Sequence, residues 1–113
     1  MSNIDLSQVI TAEDKQRRAA EARQLAAKTE CRRRILAVVD EMTQMNLAHA
    51  LLTEHARRRS GGSAPALTDD DVATILRMQD WIAEMQAACA GAMGGADHWP
   101  APPGGLAALA ARF

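Results

Sequence analysis

From Ala12 to Arg59 the chain contains neither proline nor glycine, and Ala, Arg, Gln, Glu, Leu and Lys dominate the run. Nothing in such a stretch forbids the α conformation, and most of its residues are strong helix formers. One long helix, broken at most once, is expected there. Its two halves differ. Residues 12–30 are Ala-rich and charged, with Leu25 as the single large aliphatic, whereas Ile35, Val38, Met42, Met45, His49, Leu52 and Ala56 recur at alternating three- and four-residue steps. That spacing is a packing seam of the kind a coiled coil uses. The first half has hardly any seam, so it is expected to project, or to pack only against a partner or a sister subunit.

Ser60-Gly61-Gly62-Ser63-Ala64-Pro65 ends this helix, and Thr68-Asp69-Asp70-Asp71 restarts one, with a capping threonine and three acids in the first turn. Val72, Ile75, Leu76, Gln79, Ile82, Met85, Gln86 and Cys89 give the new helix an apolar face. Met78, Trp81, Met85 and Ala88 add an overlapping stripe for a second contact. Gly91 and then Gly94-Gly95 close the helix, and Trp99-Pro100-Ala101-Pro102-Pro103 must run extended, because each proline fixes φ and disfavours helix in the residue before it. Leu106 to Phe113 reads as a short helical stub. At the other end, Ile4, Leu6, Val9 and Ile10 punctuate an extended leader over residues 1–11, and Thr11 with Asp14 has the spacing of a capping box. The expected fold is therefore all-α. A long N-terminal helix and a second helix form an antiparallel helical hairpin over residues 12–93 with a loop at 60–67, followed by an extended Pro-rich C-terminal tail over 94–113.

A domain of 113 residues buries only roughly two-thirds of the surface its unfolded chain exposes, and alanine supplies much of its apolar content. Its core must be thin, which suits a helical module stabilised by association, including a homo-oligomer. Thirteen basic against fourteen acidic side chains leave a net charge of −1, so the whole molecule has no field to hold it on nucleic acid or anionic lipid. No basic start leads into an apolar stretch, and no run nears the roughly 18 apolar residues of a membrane span. A soluble protein of the compartment where it is made is expected. Folding the two long helices about the 60–66 loop sets Cys31 opposite a position near residue 95. At about 1.5 Å per residue, Cys31 and Cys89 are then roughly 9 Å out of register, beyond disulfide reach. Two free thiols of a reducing interior follow.

Catalytic chemistry finds no foothold. His49 and His55 diverge around their helix and lack the four-residue spacing of a helical metal pair, and Asp97-His98 has no second ligand near it in sequence. Serines 2, 7, 60 and 63 have neither a strained turn nor a base. Neither an enzyme nor a cofactor or metal protein is expected. Arg17-Arg18, Arg32-Arg33-Arg34 and Arg57-Arg58-Arg59 fan around their helices among acids, which fits solvated, ion-paired faces better than a phosphate-binding stripe. A small helical nucleic-acid-binding regulator using these clusters is the alternative.

With one Phe and no Tyr, the placing of Trp81 and Trp99 around a helix end and a proline-rich exit suggests a docking surface. The same segment equally suits folding back on its own helices with Trp99 as the anchor. The leader from Ile4 to Lys15 resembles the linker that introduces the helical C-terminal part of many tailed-phage and prophage tail proteins. The stretch from Trp81 through His98-Trp99-Pro100-Ala101-Pro102-Pro103 is similar to the closing pattern of caudoviral tail-fibre assembly proteins. Together they cover about a third of the chain. Members of that group carry a larger β-rich region before the helical part, and this sequence opens almost at the linker. The resemblance implies a tail-fibre assembly chaperone or a virion structural protein, acting in the host cytoplasm during assembly or retained in the tail. Its partner would be a tail-fibre or tail component. On this view Trp81, Trp99, Pro100, Pro102 and Pro103 form the main contact, Leu106, Leu109 and Phe113 support it, and Ile4, Leu6, Val9 and Ile10 add an extended anchor.

Overall fold

A computed structural model describes residues 2–62, 67–91 and 99–113, with side chains from Thr11 onward. It is all-α: α1 spans Ser2–Val38, α2 Glu41–Arg59, α3 Asp69–Gly91 and α4 Leu106–Ala110, with no strand among the described residues. The Pro- and Gly-free run is helical except at one break, Val39-Asp40. Two β-branched residues with low helix propensity precede an aspartate there, and Asp40 takes an extended conformation (φ −71°, ψ 169°). Its carboxylate accepts the Thr43 N–H at 2.7 Å and so caps α2, while the Gln44 side-chain amide donates to the Val39 carbonyl at 3.0 Å. The break thus leaves its polar groups satisfied. At about 1.5 Å per residue, α1 and α2 laid nearly end to end account for the molecule's 82 Å long axis.

α3 lies against both. Asp69 at its start pairs with Arg58 at the end of α2 (3.0 Å), and Cys89 near its end meets Cys31 of α1. The core runs between them, from Ala27, Cys31, Ile35 and Val39 through Leu47 and Leu51 to Ile75, Met78, Trp81, Met85 and Cys89. Leu106 and Leu109 of α4 close one side of it. The α3 start behaves as its sequence requires: the Asp71 N–H donates to Thr68 Oγ1 at 3.0 Å and the Thr68 N–H donates to the Asp71 carboxylate at 3.1 Å, a reciprocal capping box. Leu67 and Val72 stand at the hydrophobic-staple positions around that cap; Leu67 belongs to the core and the half-buried Val72 packs against it. At the end of α2, Gly61 adopts φ 69°, the left-handed turn that glycine enters without strain.

Four expectations are corrected. The leader is helical: α1 begins at Ser2, nothing interrupts the backbone at Thr11, and Asp14 pairs with Arg17 (2.7 Å) instead of capping. The side chains of Ile4, Leu6, Val9 and Ile10 lie outside the described residues. The seam from Ile35 to Ala56 is one line in the sequence but two in space. Ile35 is buried and Val38 packs on the core, whereas Met42, Met45, His49, Leu52 and Ala56 are exposed. The extended Asp40 resets the helical phase, so α2 turns Leu47, Leu51 and Glu54 inward instead. Cys31 and Cys89 come together, against the expected offset, because α1 and α2 use more residues than α3 between the Arg58–Asp69 and Cys31–Cys89 contacts. A register counted from the loop does not carry across a broken helix.

Candidate functional site

Trp81 is buried within α3, 3% exposed, and its indole Nε1–H donates to the Pro100 carbonyl at 3.0 Å. A buried indole needs such a partner, and this one ties the proline segment to the helix. Trp99 is half-buried against the core, with the Arg34 guanidinium 5.0 Å above its ring. Arg34 is itself held by Glu30, whose carboxylate also accepts from Arg33; those guanidinium hydrogen bonds bring the Glu30 pKa down to about 2. Gly105, at φ 84°, turns the chain into α4, and Arg112 pairs with Asp71 at 2.9 Å. The Thr68 backbone N–H and then Arg112 lower the Asp71 pKa.

The sequence-predicted contact residues are therefore used unequally. Trp81, Leu106 and Leu109 are buried in the chain's own core and present nothing to a partner, which corrects their assignment to a contact surface. Trp99, Pro100 and Pro103 are half-buried; Pro102 and Phe113 are exposed. The Trp81 hydrogen bond to Pro100 holds the exit segment onto α3, and the Arg34 guanidinium over the Trp99 ring holds it onto α1.

A cleft of about 400 Å³ opens between α1, α2 and α3. Cys31, Ile35, Ile82 and Cys89 are among its apolar lining residues, and Lys28, Arg32 and Glu41 are among its polar ones. Both cysteines are free and buried. Burial pushes the Cys31 thiol pKa up, and the neighbouring Cys89 adds to this, so Cys31 is a poor nucleophile at neutral pH. Among the described residues, no three His, Cys, Asp or Glu side chains converge as a metal site requires. His49 and His55 are exposed on α2; the Asp97-His98 pair lies outside the described residues.

The arginine clusters meet carboxylates. Arg17 pairs with Asp14, Arg32 with Glu41, Arg33 and Arg34 with Glu30, Arg57 and Arg58 with Glu54, and Arg58 also with Asp69. Glu54 is 1% exposed beneath its two arginines, and the Arg57 hydrogen bond is the main reason its pKa falls to about 2. Arg57 reaches on to the Gly62 carbonyl (2.9 Å), so this cluster links the end of α2, its turn and the start of α3. Sequence reasoning expected ion pairs on a solvated face here and missed the burial of Glu54. Its one signal was a glutamate three and four residues before two arginines.

Among the described residues, two surfaces stand largely open to solvent. Along α1, every residue from Thr11 to Ala26 is exposed except the half-buried Asp14, and among the described side chains the first buried one is Ala27. On the outer face of α2, Met42, Met45 and Leu52 are each about two-thirds exposed (66%, 68% and 69%). Among the described residues, no helix is long and apolar enough to cross a membrane. No protein-family model matches the chain, and no curated protein or solved structure is similar enough to it to match.

Proposed function

We propose that the chain is a non-catalytic assembly protein that captures a protein partner along its projecting N-terminal helix. Its remaining elements form the base that holds this arm: α2 and α3 complete the antiparallel helical hairpin with the second half of α1, and the Trp-Pro exit closes over it. The observation that carries the proposal is the arm itself. Residues 11–26 are exposed apart from the half-buried Asp14, so this part of the helix draws little stability from tertiary packing, the main source of helix stability in a folded protein. A surface of this kind gains stability when another chain covers it. The resemblance of residues 4–15 and 81–103 to tail-assembly proteins supplies the setting: the partner is a phage-like tail-fibre or tail component, and Pro102, Phe113 and the exposed parts of Trp99 provide a secondary contact.

The alternative, nucleic-acid binding through the arginine clusters, draws less support. Their guanidinium groups sit in pairs with Glu30, Glu41, Glu54, Asp14 and Asp69, which cancels much of the local positive field that phosphate contacts require.

The test is deletion of residues 1–26. The shortened chain should keep the base folded, with its cooperative thermal transition near that of the full chain, and should no longer co-purify with tail proteins encoded beside it. Co-purification undiminished by the deletion would move the contact to the base. Affinity for duplex DNA that falls steeply with salt would favour the alternative.

A further inference from the structure

The outer face of α2 has the layout of an interface that fits itself. Met42, Met45, His49, Leu52 and Ala56 follow one another at steps of three, four, three and four, all exposed. His49 stands at the middle of the stripe. Rotating a second copy by half a turn about an axis through His49 brings Met45 of each copy to Leu52 of the other, and Met42 to Ala56, so a long side chain faces a short one. The flanking positions Asn46, Ala48 and Thr53 are exposed and carry no formal charge, and the alanine leaves room for the two backbones to approach.

Charge fixes the direction. α2 begins with Asp40 and Glu41 and ends with Arg57, Arg58 and Arg59. Glu41, Arg57 and Arg58 already pair with Arg32, Glu54 and Asp69 within the chain; an antiparallel pair places Asp40 of each copy beside Arg59 of the other and opposes the two helix dipoles, whereas a parallel pair would set like charge against like. Arg59 lies one further step along the stripe; about the axis at His49 it falls at position 39 of the other copy, beside Asp40 and two residues short of Glu41. The stripe from Met42 to Ala56 is ~21 Å long, about two heptads. It covers roughly half of the ~800 Å² per partner of a standard interface, and so calls for a weak, concentration-dependent dimer.

We propose that the outer face of α2 binds the same face of a second copy of this chain, antiparallel, about a twofold axis at His49. The dimer does not depend on the arm of α1, and the two surfaces are tested separately.

The experiment is sedimentation equilibrium of the full chain over a series from micromolar to millimolar, with circular dichroism on every variant. The mass should rise toward twice that of one chain. Met45→Glu with Leu52→Glu should hold it at one chain throughout, with helix content unchanged, since both side chains already face solvent. Arg59→Glu should weaken association about tenfold, and adding Glu41→Lys, which lies two residues from its counterpart and also gives up the pair with Arg32, should restore part of the loss. Under a thiol oxidant, His49→Cys should cross-link to its own copy through residue 49, and Met42→Cys should not. Three results would overturn the proposal: a single-chain mass at every concentration, a doubled mass that survives Met45→Glu with Leu52→Glu, or Met42→Cys linking to itself as readily as His49→Cys, which marks a parallel pair. If the double glutamate variant loses helix, the Arg59→Glu and Glu41→Lys exchange decides instead.

Discussion

On the inner face of α2, Leu47 is wholly buried and Leu51 nearly so, with Glu54 sealed beneath Arg57 and Arg58. On its outer face, Met42, Met45 and Leu52 stand about two-thirds in solvent. Both faces repeat at helical spacing and both are apolar enough to be core. The inner one is covered because the turn at Gly61, the Arg57 bond to Gly62 and the Arg58–Asp69 pair bring α3 back onto that side. The lesson concerns what periodicity measures. It finds stripes able to pack, and a neighbouring element selects which stripe is packed.

The comparison can be broken at its strongest point first. Leu47→Ala empties a fully buried site and is expected to destabilise the chain by ~2–5 kcal/mol, read from urea denaturation. A loss no larger than that of an outer-face truncation would mean that α2 does not pack as described. Next is the tail that closes the core. Trp81→Phe removes the indole N–H that Pro100 accepts and part of a buried ring, and should cost ~1–3 kcal/mol, with the emission of the remaining Trp99 shifting to the red as its cover loosens.

Acid sharpens the same contrast. The folded-state pKa of Glu54 is lowered from an ordinary value of 4.5 to about 2, first by its hydrogen bond from Arg57. A depressed carboxylate contributes stability above its unfolded pKa and loses it as pH falls toward the folded one. Melting temperature should therefore stay level down to about pH 5 and fall between about 4.5 and 2. Glu30, lowered to about 2 by Arg33 and Arg34, contributes over the same window. Glu54→Gln should flatten part of that fall, and an unchanged acid limb would show that the buried cluster is not what the acid breaks. The smallest effect is expected outside: Leu52→Ala, measured where the chain is monomeric, should change stability by less than ~0.5 kcal/mol. A loss of the size expected for Leu47 would exchange the two faces.

Much of this was legible in particular residues. The absence of Pro and Gly before Ser60 predicts helix, and helix is what forms. Thr68 and Asp71 announce the start of α3, and their reciprocal hydrogen bonds are those the spacing implies. Gly61 marks a turn and has the backbone angle that favours glycine. The candidate surface was harder to read. Trp81, Leu106 and Leu109 have the composition of an interface, and the chain uses them on itself. An exposed indole and a buried one are the same letter until the Pro100 carbonyl is seen to accept from the ring.

The sequence by itself determined where helix begins and ends, because capping, glycine turns and the absence of breakers act within a few residues of each other and need no distant partner. It also determined that residues 11–26 of α1 have little apolar surface to bury. Only the tertiary structure decided which side of α2 faces inward, that Cys31 meets Cys89, and that both tryptophans hold the chain's own tail. Each of these depends on the helical phase across the Val39-Asp40 break. One extended residue there turns every later side chain about the axis, and so alters which residues meet without changing what any short window of sequence predicts.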